Sequence, residues 1–145
     1  MKININVIGL GFVGLTTALG FSEKKFSTTF VENNKIKLNK IQKGKIPFKE
    51  PYLTSILKRN LNKKNIFFSS NFILKKNERN ILFVCVGTPS NRNGSINLRY
   101  VTNVIKKINY LAKNEKILIV IKSTVLPGTI SKTLNKLIKK KNISI

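Results

Sequence analysis

The sequence predicts an α/β fold with a doubly wound, mainly parallel sheet that is covered by helices on both faces. Short apolar runs alternate with helix-like segments along the whole chain, as in a series of strand–helix–strand units. The first apolar run leads into a glycine-rich turn, and an acidic residue ends the next apolar run. Because no repeat, low-complexity linker or shift in composition divides the chain, we expect residues 1–145 to form one domain.

The first half of the chain predicts three strands and three helices. The strands are expected at Ile3–Ile8, 26–31 and 66–68, and the helices at 13–22, at Lys35–Gln42 and from Tyr52 onward. Asn4 and Asn6 interrupt the apolar pattern of the first strand. Gly44 is expected to end the second helix as a C-terminal glycine, and Pro47 and Pro51 break the chain before the third.

The second half of the chain continues the alternation. Strands are expected at 81–86, at Ile117–Ile121 and from 143 onward, and helices at 101–111 and 130–138. Val101, Ile105 and Ile108 belong to an apolar stripe at helical spacing, with lysines on the opposite face. Pro127 and Gly128 turn the chain into the last helix.

The turn after the first strand has the spacing G-x-G-x-x-G. Gly9 allows a tight turn, Gly11 lets the backbone approach a diphosphate, and Gly14 lets the helix pack closely on the strand. The N-terminus of that helix offers free N–H groups and a partial positive charge to phosphates. Glu32, roughly 20 residues further on, ends the next strand, where a carboxylate can hold ribose hydroxyls. We predict a Rossmann-type dinucleotide site, with an ordinary strand–turn–helix as the alternative.

Two further strand ends carry small hydroxyl residues. They are Val86-Gly87-Thr88-Pro89-Ser90 and the segment 122–129, which contains Ser123 and Thr124. In a doubly wound sheet, ligands bind outside the carboxyl ends of the strands. Capping of the following helices is the alternative role for each segment alone. Because the segments are expected to face one crevice, we favour ligand contact.

The chain carries a large excess of positive charge. It has 28 Lys and Arg against 5 Asp and Glu, which gives a formal net charge of +23. Such an excess is typical of proteins that bind nucleic acid or another anionic surface. However, Ile, Lys and Asn are overused in every segment, as in proteins from AT-rich genomes, and the lysines form no single arm. We therefore favour compositional drift over a dedicated nucleic-acid face, and expect a general, salt-sensitive attraction to polyanions.

Several residue types are missing or scarce. The chain has no His, no Asp and one cysteine, and its five acids are glutamates far apart in sequence. This composition excludes an internal disulfide and a Ser-His-Asp triad, and it predicts no metal site. Cys85 lies in an apolar run, so we expect a buried, inert thiol. No window resembles a membrane span or a signal peptide, so we expect a cytoplasmic protein with no membrane partner.

Five segments, in order along the chain, resemble the UDP-glucose/GDP-mannose dehydrogenase family. They are residues 9–15 (GLGFVGL), 44–51 (GKIPFKEP), 85–90 (CVGTPS), 93–101 (NGSINLRYV) and 122–129 (KSTVLPGT). The resemblance implies the N-terminal NAD-binding domain of a nucleotide-sugar 6-dehydrogenase, most like UDP-glucose 6-dehydrogenase. Such enzymes of polysaccharide biosynthesis oxidise the sugar C6 alcohol to a carboxylate in two hydride transfers to NAD.

The glycine motif and the resemblance together define the expected cofactor-binding residues. These are Gly9, Leu10, Gly11, Phe12, Val13, Gly14, Glu32, Lys37, Val86, Gly87, Thr88, Pro89, Ser123 and Thr124. By the resemblance, Glu32 holds the adenosine ribose where the family usually has Asp, and Lys37 lies near the adenosine end. By the same resemblance, Thr124 is expected to help hold a catalytic water. Tyr52 stands where the family commonly has Gly, so the loop before it is expected to differ.

The resemblance also implies what residues 1–145 lack. The family's catalytic cysteine, long central helix and sugar-binding domain lie beyond the matching region, and Cys85 cannot be carried over as the nucleophile. We therefore expect the chain to be inactive alone, as a truncated or split gene product or an excised domain. A nucleotide sugar is expected as a partner only with the missing part, or with a second polypeptide that supplies the cysteine. The alternative is a non-catalytic Rossmann protein with a basic, polyanion-binding surface.

Overall fold

The computed structural model of the protein describes residues 2–145, which contain six strands and four α-helices. The strands are β1 (Ile3–Ile8), β2 (Thr28–Val31), β3 (Ile66–Ser69), β4 (Arg79–Val84), β5 (Ile117–Ile121) and β6 (Ile143–Ser144). The α-helices are α1 (Phe12–Glu23), α2 (Lys35–Gln42), α3 (Leu53–Leu61) and α4 (Arg99–Leu111). The longest of them has 13 residues, and no helix in this part of the chain could cross a bilayer.

The six strands form one parallel sheet in the order β3-β2-β1-β4-β5-β6. The chain begins in the centre, winds outward to β3, and then returns to β4 on the other side of β1. At the carboxyl edge, Ile8 lies in register with Val31 of β2 and with Val84 of β4. This reversal of direction beside β1 opens a crevice at that edge, where doubly wound sheets bind ligands.

Each face of the sheet is covered by its own apolar core. Successive side chains of a strand point to opposite faces, so Val7 and Ile8 belong to different cores. The core beneath α1, α2 and α3 includes Ile5, Leu15, Leu19, Phe30, Ile41 and Leu57. The core beneath α4 includes Leu82, Val84, Val101, Ile105, Ile108 and Ile119. The doubly wound α/β fold predicted from the sequence is confirmed, and the described sheet is parallel throughout.

The two asparagines that interrupt the apolar pattern of β1 are buried and hydrogen-bonded. Asn6 donates to the carbonyl oxygen of Ile73 (3.0 Å) and accepts from the N–H of Ile73 (2.8 Å). The Asn4 amide donates to the Ile73 carbonyl (2.7 Å) and to Oδ1 of Asn80 (2.9 Å). Asn80 Oδ1 also accepts from the N–H of Lys75 (2.9 Å). Because buried polar groups need partners, these side chains fasten the β3–β4 connection to the sheet.

The second strand begins two residues later than predicted, because α1 ends in a Schellman motif. Lys25 has a left-handed backbone with φ +64°. The N–H of Phe26 donates to the carbonyl of Phe21 (3.1 Å), and the N–H of Lys25 donates to that of Ser22 (3.0 Å). The rings of Phe21 and Phe26 pack edge to face with centroids 6.0 Å apart. Residues 24–26 therefore end the helix and do not enter the sheet.

Three other elements differ from the expectation. Tyr52 is not helical: its φ is +66°, and α3 begins after it at Leu53. The strand expected at 81–86 is β4, two residues earlier at each end. The last predicted helix is one turn of π-helix, Ile130–Leu134, followed by one 3₁₀ turn, Asn135–Leu137. At Tyr52 the backbone has a conformation that glycine adopts most easily, although the residue there is large.

Candidate functional site

A crevice of about 960 Å³ opens at the carboxyl edge of the sheet. It receives residues from the turn after β1, from the end of β2, and from the segments that follow β4 and β5. Most of the predicted site residues line it, namely Gly9, Gly11, Phe12, Val13, Glu32, Lys37, Val86, Gly87, Thr88, Ser123 and Thr124. The residues that follow β1, β4 and β5 therefore face one crevice, as expected from the sequence.

The glycines of the turn after β1 differ in what surrounds them. Gly9 has φ +91°, and a Cβ atom there would lie 2.9 Å from the carbonyl oxygen of Cys85. Gly14 is buried directly beneath Gly9. A Cβ atom on Gly11, by contrast, would meet no atom within 4 Å. Gly9 and Gly14 are therefore required by the packing of the chain itself, whereas Gly11 leaves space in the crevice.

The N-terminus of α1 points into that space. Gly11 has an extended backbone (φ −69°, ψ −166°) and provides no side-chain cap, and the first turn contains no acidic residue. The first bond of the helix runs from the N–H of Leu15 to the carbonyl of Gly11 (2.9 Å). The earlier N–H groups of this turn are the ones an α-helix leaves without intrahelical partners. A diphosphate fits these donors and the positive end of the helix dipole.

The carboxylate of Glu32 is held between two backbone N–H groups. Oε2 accepts from Leu10 (3.2 Å) and Oε1 accepts from Asn34 (3.1 Å). The residue is only 7% exposed. Because a carboxylate has about four acceptor positions and Leu10, Asn34 and Lys37 occupy three of them, Glu32 can still accept a hydrogen bond from a hydroxyl group in the crevice. This geometry fits a ribose hydroxyl beside the glycine turn.

Lys37 is the charged partner of Glu32. Its Nζ lies 2.8 Å from Oε2 of Glu32. Asn34 caps α2 by accepting the N–H of Lys37 (3.0 Å), which fixes the start of the helix beside Glu32. The lysine therefore neutralises a nearly buried carboxylate, which would otherwise be costly to desolvate.

The two hydroxyl residues after β5 are used differently. Oγ of Ser123 donates to the carbonyl oxygen of Val86 (2.7 Å) and so ties the end of β5 to the segment after β4. Thr124 is exposed in the crevice, and within residues 2–145 its hydroxyl has no hydrogen-bond partner. Of the two, Thr124 offers a hydroxyl that is available both to donate and to accept.

The one thiol of the chain lies at the floor of the crevice. Burial raises the pKa of Cys85 to about 11, against the opposing effect of Lys122. The thiol is therefore protonated at neutral pH, as the sequence predicts for an inert cysteine. Among residues 2–145, no three His, Cys, Asp or Glu side chains are grouped so as to hold a metal ion.

Three predicted site residues do not line the crevice. The Leu10 side chain is fully buried, and the residue contributes its N–H to Glu32. Gly14 lies behind the turn. Pro89 is exposed outside the crevice, where its carbonyl oxygen accepts the N–H of Asn97 (2.8 Å). Leu10 and Gly14 therefore shape the site indirectly, and the structure gives Pro89 no place in the crevice.

One wall of the crevice was not predicted from the sequence. It consists of Asn33, Asn34, Ser70, Asn71, Phe72, Tyr100, Asn103, Val104 and Lys107. Tyr100, Asn103, Val104 and Lys107 recur at helical spacing, so they share one face of α4 beside its apolar stripe. That spacing was a usable signal for the α4 residues. No local pattern marks Asn71 or Phe72, which lie in the β3–β4 connection.

Comparison with known proteins agrees with this geometry. Residues 3–144 match the family model of the UDP-glucose/GDP-mannose dehydrogenase family, NAD binding domain. The GDP-mannose 6-dehydrogenase of Pseudomonas aeruginosa is 32% identical over 139 residues, which are 94% of this chain and 32% of that protein. The UDP-glucose 6-dehydrogenase of Rickettsia conorii is 34% identical over 129 residues, which are 89% of this chain and 30% of that protein.

The fold is also that of a solved relative. The crystal structure of a ternary complex of the GDP-mannose dehydrogenase from Pseudomonas aeruginosa has a TM-score of 0.82 with this chain at 32% identity. The match covers 94% of this chain and 31% of that one. The chain thus spans less than a third of the length of the curated relatives it matches.

Proposed function

The chain belongs to the UDP-glucose/GDP-mannose dehydrogenase family as its NAD-binding domain, and we propose that NAD lies along the crevice at the carboxyl edge of the sheet. The observation that best supports this proposal is the open space beside Gly11. The residue before it, Leu10, donates its backbone N–H to the carboxylate of Glu32. The open position gives a diphosphate access to the N-terminus of α1. The carboxylate gives a ribose its acceptor.

The proposed contacts follow the crevice from end to end. The diphosphate meets the backbone at 11–13, and the adenosine ribose meets Glu32 with Lys37 beside it. The nicotinamide half extends along 86–88 toward Ser123 and Thr124. When bound there, NAD supplies a hydride acceptor. The residues of this chain bind and orient it, and Ser123 keeps the segment after β4 in place through its bond to Val86.

Thr124 is the residue that we propose to act closest to the reaction. Its hydroxyl is exposed in the crevice. A threonine hydroxyl can accept one hydrogen bond and donate another, so it can hold a water molecule at a defined position. We assign Thr124 the role of positioning the water needed to form a carboxylate. Ser123 is unsuited to that role because its proton is already donated.

We propose a nucleotide sugar as the substrate of the enzyme to which this domain belongs, with UDP-glucose first and GDP-mannose or a UDP-N-acetyl sugar next. The sequence identity is similar for a relative named GDP-mannose 6-dehydrogenase, at 32%, and for one named UDP-glucose 6-dehydrogenase, at 34%. Cys85 is protonated at neutral pH and lies beneath the glycine turn. Covalent capture of an aldehyde needs an activated thiol. The oxidation would therefore depend on a cysteine supplied from outside residues 1–145, by further sequence or by a second polypeptide.

A titration with NAD tests the proposal on the chain as it is. NAD should raise the melting temperature, by an amount equivalent to about 2.7 kcal/mol of stability at 100 times its Kd. Gly11→Val, whose Cβ atom would lie in open space, should abolish this shift. A wild-type protein whose melting temperature is unchanged in millimolar NAD would overturn the proposal.

A non-catalytic, polyanion-binding protein is the second candidate function. Its supporting observation is charge: among residues 2–145 only Lys37, Arg59, Lys63 and Lys75 lie in ion pairs with a glutamate. The other cations leave a strongly positive surface. Under this alternative, RNA or heparin would bind with a steep dependence on salt, and NAD would leave the melting temperature unchanged.

A further inference from the structure

Two separate parts of the chain are in contact at the outer end of the crevice. Nζ of Lys107, on α4, donates to Oδ1 of Asn71, in the β3–β4 connection. The two residues are 36 positions apart in sequence and both line the crevice. Each is otherwise exposed. The contact therefore brings a cation and an amide together at the mouth of the crevice.

This pair lies beside Glu32. The N–H of Glu32 donates to the carbonyl of Ser69 (3.1 Å), and Oγ of Ser69 accepts the N–H of Asn71 (3.1 Å). Phe72 and Val104 line the same crevice. A planar ring attached to a ribose at Glu32 would thus find both apolar and polar side chains in this part of the crevice.

The segment that carries Asn71 is fastened from below. Its neighbour Ile73 is hydrogen-bonded through both backbone groups to the buried side chain of Asn6, and its carbonyl also accepts from Asn4. Both asparagine side chains are buried, so these bonds tie the connection to the sheet. Asn71 is therefore presented from a fixed support.

We propose that Asn71 and Lys107 select the base of the cofactor, adenine, at this end of the crevice. The inference rests on the proposed binding of NAD. An asparagine amide pairs with adenine by accepting from the 6-amino group and donating to a ring nitrogen. Lys107 is a donor only, so its contact holds the amide oxygen of Asn71 in one orientation. A base with a 6-oxo group presents an acceptor where that orientation requires a donor.

The test compares NAD with nicotinamide hypoxanthine dinucleotide, which carries a 6-oxo group in place of the 6-amino group. Dissociation constants of both are measured by calorimetry for the wild type, Asn71→Leu and Lys107→Met. The wild type should prefer NAD by about tenfold, the size expected of one bidentate pair. Each variant should reduce the preference to less than twofold and retain its melting temperature, because both side chains are exposed.

Two neighbouring residues supply matched controls. Lys106 is exposed on α4 and Asn77 is exposed in the β3–β4 connection, and neither lines the crevice. Lys106→Met and Asn77→Leu should keep the tenfold preference. If NAD binds but the preference is absent in the wild type, or survives in either Asn71→Leu or Lys107→Met, the inference is wrong. If NAD does not bind the wild type at all, the proposed function itself fails.

Discussion

A Cβ atom on Gly14 would lie 1.8 Å from the carbonyl oxygen of Gly9. No side chain can occupy that position, so the first turn of α1 rests directly on the turn that follows β1. This close packing aims the N-terminus of α1 at the crevice. Gly11 stands between the two and faces open space. Of the three glycines of this motif, Gly9 and Gly14 are therefore required by the packing of the chain, and Gly11 leaves space for the proposed ligand.

This division predicts opposite behaviour for two substitutions. Gly14→Ala should destabilise the protein by about 3 kcal/mol or more, because the added methyl group overlaps backbone that cannot move away. The Gly11→Val variant should have nearly the same urea midpoint of unfolding as the wild type, but it should not bind NAD. Urea titration and calorimetry measure the two effects.

Gly20 provides the matched control within the same helix. A Cβ atom there would meet nothing within 4 Å. Gly20→Ala should leave NAD affinity unchanged and stabilise the helix by about 0.5–1 kcal/mol. If Gly14→Ala were as stable as Gly20→Ala, the described packing of α1 on the turn would be wrong.

Glu32 should set both the affinity for NAD and the discrimination against NADP. Removing its carboxylate in Glu32→Ala should weaken NAD binding by about 1–3 kcal/mol, the range for hydrogen bonds to a charged group. The wild type should prefer NAD by at least about tenfold, or 1.4 kcal/mol, because the carboxylate repels a 2′-phosphate. The variant should lose most of that preference. Glu50→Ala, exposed and outside the crevice, is the control that should change neither constant.

Stability should fall in acid because of Glu23. Hydrogen bonds from Lys63, Asn60 and Arg59 lower the pKa of its carboxyl from 4.5 to about 2. The folded protein thus holds this proton less tightly than the unfolded chain. The stabilisation that the ionised carboxylate of Glu23 gives to the folded protein is complete above pH 4.5 and is lost as the pH falls toward 2.

Urea unfolding at a series of pH values measures this loss. The midpoint of the wild type should drop between pH 4.5 and 2, and Glu23→Gln should flatten that part of the profile. Glu50→Gln should keep the wild-type profile. A Glu23→Gln profile parallel to the wild type would mean that Glu23 does not carry the acid sensitivity.

Lys25 offers a stabilising substitution outside the site. It holds φ +64° at the end of α1, where Gly44 holds φ +72° at the end of α2. A side chain in this conformation costs about 1 kcal/mol or more relative to glycine. Lys25→Gly should therefore raise stability by about 1 kcal/mol, and Gly44→Ala should lower it by a similar amount. Thermal unfolding of both variants checks the pair, and a loss of stability in Lys25→Gly would contradict the described Schellman motif.

Cys85 should react slowly with alkylating reagents. A shift of its pKa from 9.0 to about 11 reduces the thiolate fraction at neutral pH about 100-fold, and the thiolate is the reactive form. Alkylation by iodoacetamide should be much slower than that of free cysteine and should accelerate steadily as the pH is raised. Rapid modification at pH 7 would show that the thiol is not shielded.

Much of the fold could be predicted because it depends on short-range patterns. Ile3–Ile8, Lys35–Gln42 and Ile117–Ile121 have the expected bounds, since short runs rich in apolar residues and a C-terminal glycine define them locally. The last helix was not predicted correctly. Its apolar spacing suits a regular helix, but Ile130–Leu134 widens to a π turn and Asn135–Leu137 tightens to a 3₁₀ turn. Residue spacing does not distinguish these windings.

The sequence by itself determined the order of strands and helices, the glycine turn and the carboxylate of Glu32, because local backbone preferences and spacing specify them. Only the tertiary structure decided that Asn6 is buried against Ile73, that Ser123 donates to Val86, and that Lys107 meets Asn71. Each of these pairs joins residues far apart in the chain. Their distances depend on the order in which strands lie side by side in the sheet, and no neighbouring residue encodes that order.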